Sequence, residues 1–374
     1  MRTGEYFPQL SGEVSYKAFI PNKLPFKVNF DETMQLLLSE ADQALGRLDG
    51  IGETIPDADF FIFMYVRKES TLSSQVEGTK ATFSDVLKAE ASIYDTEMHS
   101  DVDEVINYVR AMNYGLERLA SLPLSLRLIK EIHGVLLEGV RGLGKTPGEF
   151  RRTQNWIGGP TIQTASFVPP PADRIMELLD NLEKYFYDNS RLPVLIKSGL
   201  IHAQFEGIHP FLDGNGRTGR LLVTFYLCHK GVLRKPLLYL SSFIKGYRQD
   251  YYDKLQAFHV KDDIEGWLKF FLTGVAETAK QAIDTAQKIQ KLREDNLLKI
   301  MKLGRSKEKA LLLFNALFRT PMVRVIDIER ITSLSNPNAL LLTVKMQQIG
   351  VLKEITGKKR NRVYCYQQYI ELFE

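Results

Sequence analysis

The chain has 374 residues, 44% hydrophobic and 25% charged, a soluble globular balance too long for one compact core, so two or three domains are expected. Its 49 basic and 45 acidic residues leave a net charge of +4, which excludes bulk charge as an argument for nucleic-acid binding. The two cysteines, Cys228 and Cys365, form no Cys-x-x-Cys pair, which excludes a zinc knuckle or disulfide framework. No 18-residue apolar run exists and Met1 to Leu10 lacks a leader pattern, so a cytoplasmic protein without a membrane span is expected.

In chain order, residues 1–30 are rich in Pro, Gly and aromatics and read as an irregular arm. Helical spacing starts near Asp31, with Met34, Leu37, Leu38, Ala41 and Leu45 on one stripe. Pro56 and Asp57 open a second helix that carries Phe60, Phe61, Phe63, Met64 and Val66 toward Glu77 and Gly78. Further helices are expected at 101–120, 125–138, 172–188 and 192–207. Residues 148–171 break this rhythm. Strand-like residues flank Gly158, Gly159 and Pro160, the chemistry of a hairpin turn, so this segment reads as a short β-flap. Helix resumes after Asn215 and again from Tyr239 to Phe258, and a charge-laced helix follows over 262–301, ended by Gly304.

The remaining residues read as a separate module. Helices are expected at 307–318, 324–332 and from Asn336, the last carrying Leu340, Leu341, Val344 and Met346. Strand-like stretches at 351–355 and 362–366 flank a basic turn. Three helices and a basic hairpin make the winged-helix pattern. The expected division is therefore 1–100, 101–302 and 303–374.

Two phosphate motifs fail on context. Gly139 to Thr146 fits GxxxxGK(S/T), but a P-loop must leave a strand and enter a helix. Here a helix precedes it, and Pro147-Gly148 leads into the flap. Gly214 to Gly219 fits GxGxxG, but a helix precedes it too, and no acid for a ribose occurs between Gly214 and Asp250.

The twelve residues from His209 to Arg220 carry the chemistry. Gly214 and Gly216 permit positive φ, so successive N–H groups can converge on one point at the start of the next helix. Arg217 and Arg220 stand three apart on that helix, where a basic pair is unusual without an anion to bind. Asp213 is a hard oxygen ligand beside the nest, as Mg²⁺ requires when it also binds substrate phosphates. His209, with a reference pKa of about 6.5, suits general-base work.

This segment resembles the signature of the Fic (filamentation induced by cAMP) family, HPFx(D/E)GNGRxxR, at every specified position. The resemblance implies a mainly α fold: a Fic-type helical core with a short β-hairpin flap, plus a C-terminal winged-helix domain. It implies an adenylyltransferase that moves AMP from ATP to a Tyr, Thr or Ser hydroxyl of a target protein. His209 would be the base and Asp213 the Mg²⁺ ligand. Gly214, Asn215 and Gly216 would cradle phosphates, Arg217 and Arg220 would hold the β/γ end, and Phe211 would anchor the loop. Tyr251 and Tyr252 would lie near the adenine.

Ser73 to Gly78 resembles the family's inhibitory motif, Ser/Thr-x-x-x-Glu-Gly/Asn. By that resemblance Glu77 pairs with Arg220 at the ATP site and misaligns the α-phosphorus. The C-terminal module offers Asn338, Lys345, Gln347 and Gln348 as DNA readers and Lys358, Lys359, Arg360 and Arg362 as phosphate contacts. Such modules also serve protein contacts, including homodimers. The rival function is a nucleotide-sensing, DNA-binding regulator without transferase activity.

Overall fold

The computed structural model describes residues 1–11, 14–54, 58–91, 101–139 and 146–374. Pro56, Asp57, Gly144 and Lys145 lie outside the described residues. The chain opens with a hairpin, not an irregular arm: β1 (Gly4–Ser11) pairs antiparallel with β2 (Val14–Pro21) in continuous register. The sequence concealed it because Pro8 and the short alternation blur a strand pattern, yet a two-stranded sheet tolerates Pro at an edge. Phe19 decides the matter. It is fully buried against Phe167 and His259, and its N–H donates to Val168 O at 2.8 Å.

Next come α1 (Glu32–Thr54), α2 (Ala58–Val76), α3 (Phe83–Glu90), α4 (Val102–Leu119) and α5 (Leu126–Leu136). The expected stripe on α1 is real, with Met34, Ala41 and Leu45 buried along a face that packs on the long helix described below. Helix α3 was not expected, although Thr82 and Asp85 form the capping box that starts it.

The segment after α5 is less regular than a hairpin. Gly158 and Gly159 take positive φ, one bridge joins Ile157 to Phe167, and a 3-10 turn fills Ile162–Thr164. Then follow α6 (Ile175–Phe186), α7 (Val194–Ile208) and α8 (Asn215–His229). Helix α7 is buried almost all round, as an apolar helix without a polar face must be, and it lies among α6, α8 and β2. The helix expected over Tyr239 to Phe258 is two: α9 (Ser241–Gly246) and α10 (Arg248–Val260), broken at Tyr247. The long helix is α11 (Ile264–Met301), and α1 lies along it.

Beyond it stand α12 (Lys307–Leu317), β3 (Met322–Arg324), α13 (Val325–Thr332) and α14 (Asn336–Gln348). Then come β4 (Lys353–Glu354), β5 (Val363–Cys365) and α15 (Gln367–Ile370). The three strands form an antiparallel sheet in the order β3-β5-β4. No helix among the described residues is long and apolar enough to cross a membrane.

Candidate active site

Helix α7 stops because His209 turns left-handed (φ 50°, ψ 60°) and Pro210 cannot continue a helix. The chain re-enters helix at Asn215, with Gly214 at φ 74° as the cap. Asn215 closes the intervening loop on itself. Its Oδ1 accepts the Phe211 N–H at 2.9 Å and its Nδ2 donates to Phe211 O at 2.8 Å. The Asn215 side chain is therefore occupied, and the Gly214 N–H donates to Asp213 Oδ1 at 2.6 Å.

Phe211 is fully buried, stacked on the His133 ring with centroids 3.6 Å apart. His133 Nδ1 accepts the Gly148 N–H, which places its proton on Nε2, 2.9 Å from Asp213 O. Burial, the largest influence, pushes this imidazole down to about 4, so it stays neutral.

A second brace is Arg151. Its guanidinium donates to the carbonyls of His209 at 2.9 Å, Pro170 at 2.6 Å and Thr153 at 3.0 Å, and its own N–H reaches Pro210 O. One buried cation thus ties the flap to the His209 turn. Burial, then the Arg151 charge, lower the His209 imidazole to about 4, against the opposing pull of the Glu206 carbonyl and Glu77. His209 is neutral at pH 7 and able to accept a proton.

The two arginines differ. Arg220 is 3% exposed. Its Nε donates to Ser73 Oγ at 2.8 Å, and its Nη2 donates to Ser73 O at 3.0 Å and Glu77 Oε1 at 2.7 Å. Both partners sit at the C-terminal end of α2. The Glu77 carboxylate also lies over Gly216, where an added Cβ would come within 2.3 Å of Oε1. Burial works to raise the Glu77 carboxyl, but the Arg220 and Arg217 charges hold it below its ordinary range. Arg217 faces Glu104 at 3.4 Å and Asp213 at 3.8 Å. A cleft of about 340 Å³ results, lined by Glu77, Glu104, His209, Asp213, Gly214, Gly216 and Arg217.

Known proteins resemble this chain over the segments that carry the cleft. The Fic/DOC family N-terminal model matches residues 35–117 and the Fic/DOC family model matches residues 123–227. The chain belongs to the Fic/DOC family. A "Probable protein adenylyltransferase" of Aquifex aeolicus is 30% identical over 194 residues, 50% of this chain and 55% of that one. The "Protein adenylyltransferase Fic" of Aedes aegypti is 31% identical over 205 residues, 52% of this chain and 37% of that one. The chain thus spans about half or less of the length of these curated relatives.

A Fic family protein from Desulfovibrio desulfuricans shares the fold with a TM-score of 0.60 at 19% identity, over 91% of this chain and 97% of that one. A Fic domain containing signaling protein from Bacteroides thetaiotaomicron does so with a TM-score of 0.53, also at 19% identity, over 68% of this chain and 97% of that one.

Within the Fic fold the signature residues His209 to Arg220, with Ser73 and Glu77, are brought together. Tyr251 is not brought to the open cleft. It is 1% exposed, and its hydroxyl bonds His202 Nε2 at 2.9 Å in the core behind Arg220. Tyr252 is partly exposed, with Arg248 over its ring at 5.7 Å. Arg151, His133 and Glu104 escaped the sequence reading, because a lone charge on a helix or flap carries no periodic mark. Glu206, one turn before His209, has a buried carboxyl pushed up to about 8 by desolvation, with Arg220 opposing and Glu77 adding.

Proposed function

We propose that the chain is a protein adenylyltransferase that moves AMP from ATP to a Tyr, Thr or Ser hydroxyl of a target protein. Glu77 on Arg220 holds it in check. The observation that carries this reading is the pairing of a buried Arg220 with Ser73 and Glu77 beside a glycine turn and a neutral His209. The relatives' printed names support the same chemistry.

The backbone of Gly214, Asn215 and Gly216 would receive phosphate oxygens, with Arg217 and Arg220 on the β/γ end. The target oxygen attacks the α-phosphorus, a new P–O bond forms, and the bond to the β-bridging oxygen breaks. Pyrophosphate leaves and His209 takes the hydroxyl proton. Asp213 suits Mg²⁺. Its side chain is 43% exposed at the cleft rim, and no cluster of three metal-ligating side chains occurs among the described residues. One carboxylate plus substrate phosphates is the coordination that Mg²⁺ favours. The ion, when bound, would neutralise charge on the leaving phosphates.

Incubation with α-labelled ATP and Mg²⁺ tests the reading. Glu77→Gly should raise auto-modification at least several-fold, and Arg220→Ala or His209→Ala in that background should abolish it. Equal labelling of wild type and Glu77→Gly would remove the inhibitory role.

For the C-terminal module the winged-helix assignment is supported by three helices with a three-stranded sheet. The DNA-binding alternative gains nothing from α14. Lys345 is tied to Ser306 Oγ at 2.7 Å and Asn338 to Ser335 Oγ at 3.1 Å, while Leu340, Leu341 and Val344 face outward.

A further inference from the structure

The cleft contains a second carboxylate-to-guanidinium contact. Glu104 stands in the first turn of α4, with Oε2 3.4 Å from Arg217 Nη1. The same oxygen accepts from Thr79 Oγ1 at 3.4 Å, and the side chain is only 14% exposed. An acid in a first helical turn is ordinary, because it complements the helix dipole. That role is met at the surface and does not require the carboxylate to turn inward onto a buried arginine.

Arg217 is only partly used. Its Nε is buried and meets no acceptor among the described residues, and Asp213 Oδ1 stands 3.8 Å from its Nη2. A guanidinium offers five donors, so one this sparsely engaged beside a cleft fits an arginine that receives a multivalent anion. The charges around the cleft count against that anion as matters stand. Glu77, Glu104 and Asp213 face Arg217 and Arg220, three carboxylates against two guanidiniums. A triphosphate entering there meets like charge at close range, where screening is weak. Withdrawing Glu77 frees Arg220 and leaves Arg217 covered.

We propose that Glu104 is a second brake. It occupies Arg217 as Glu77 occupies Arg220, and the cleft takes a nucleoside triphosphate fully only when both carboxylates release. The proposal rests on the nucleotide-binding reading above. The competing role for Glu104, a second carboxylate beside Asp213 on a divalent cation, is disfavoured by position. Glu104 Oε2 is already taken by Arg217 and the Thr79 hydroxyl on a side chain only 14% exposed, whereas Asp213 is the exposed acid at the cleft rim.

Calorimetric titration of the full chain with a non-hydrolysable ATP analogue and Mg²⁺ decides the matter. Wild type, Glu77→Gly, Glu104→Gln and the double variant are compared. Glu104→Gln is isosteric and should tighten binding roughly five- to tenfold on either background, multiplying the gain from Glu77→Gly. Glu104→Asp keeps the charge at the helix start but shortens its reach, and should tighten binding as well. Circular dichroism checks that each variant is folded. Unchanged affinity in Glu104→Gln overturns the second brake. Weaker binding with a raised Mg²⁺ requirement also overturns it and makes Glu104 a metal ligand. Absence of nucleotide binding in all four chains removes the proposed function and this proposal with it.

Discussion

His209 combines two properties that its position imposes: a left-handed backbone held by Arg151, and an imidazole that burial keeps unprotonated. Labelling by Glu77→Gly should therefore stay level from pH 8 to 6 and fall only toward pH 4. Initial rates across that range, taken where circular dichroism shows folded protein, check this. A half-loss near pH 6.5 would mean that His209 titrates like an exposed imidazole.

The other buried histidines set the acid stability. His133, His202 and His259 are pushed down to about 4, 4 and 3 by burial, so the native state refuses protons that the unfolded chain accepts below its reference value of about 6.5. Their contribution is complete above that pH and is lost as pH falls toward 4, by up to about 3 kcal/mol each. Glu206 acts in the opposite sense, since its raised pKa favours the native state at low pH and that gain fades toward pH 8. Urea midpoints should drop between pH 6.5 and 4. At this level the sequence disclosed the signature well, because glycines, arginines and an acid in one short run have few other uses. It disclosed Arg151 and Glu104 not at all, since their partners lie 58 and 113 residues away.

The turn between His209 and Asn215 depends on a single side chain, that of Asn215. Asn215→Ala removes both bonds that close the loop on Phe211 and leaves the buried Phe211 N–H unmet, while Asn155 Nδ2 still reaches Phe211 O at 2.9 Å. A loss of about 1–3 kcal/mol is expected, together with loss of labelling in the Glu77→Gly background. Thermal melts and labelled ATP measure the two effects. Most helices were readable from apolar spacing, since each buries one stripe. Helix α7 carries no stripe, because it is buried on nearly all sides, and Pro193 and Pro210 flank it. The hairpin β1–β2 was missed because its short strands hold their shape by packing Phe19 on Phe167 and His259, a contact between distant segments, whereas the flap's glycine turn was legible locally.

Across the whole molecule, the C-terminal module is seated on α2, the helix that carries Ser73 and leads into Glu77. Phe373 is 2% exposed, with its ring centroid 5.5 Å from Tyr65 on α2 and 6.1 Å from Phe83 on α3. Phe373→Ala should cost about 3–5 kcal/mol and lower the melting temperature, as burial at that seam is lost. The central claim is that the cleft transfers AMP and that Glu77 restrains it. Intact-mass spectrometry after incubation with ATP and Mg²⁺ tests it most directly, on wild type, Glu77→Gly and Glu77→Gly with His209→Ala. The account predicts an added adenylyl group on Glu77→Gly, little on wild type and none on the double variant; the same mass for all three chains would contradict it.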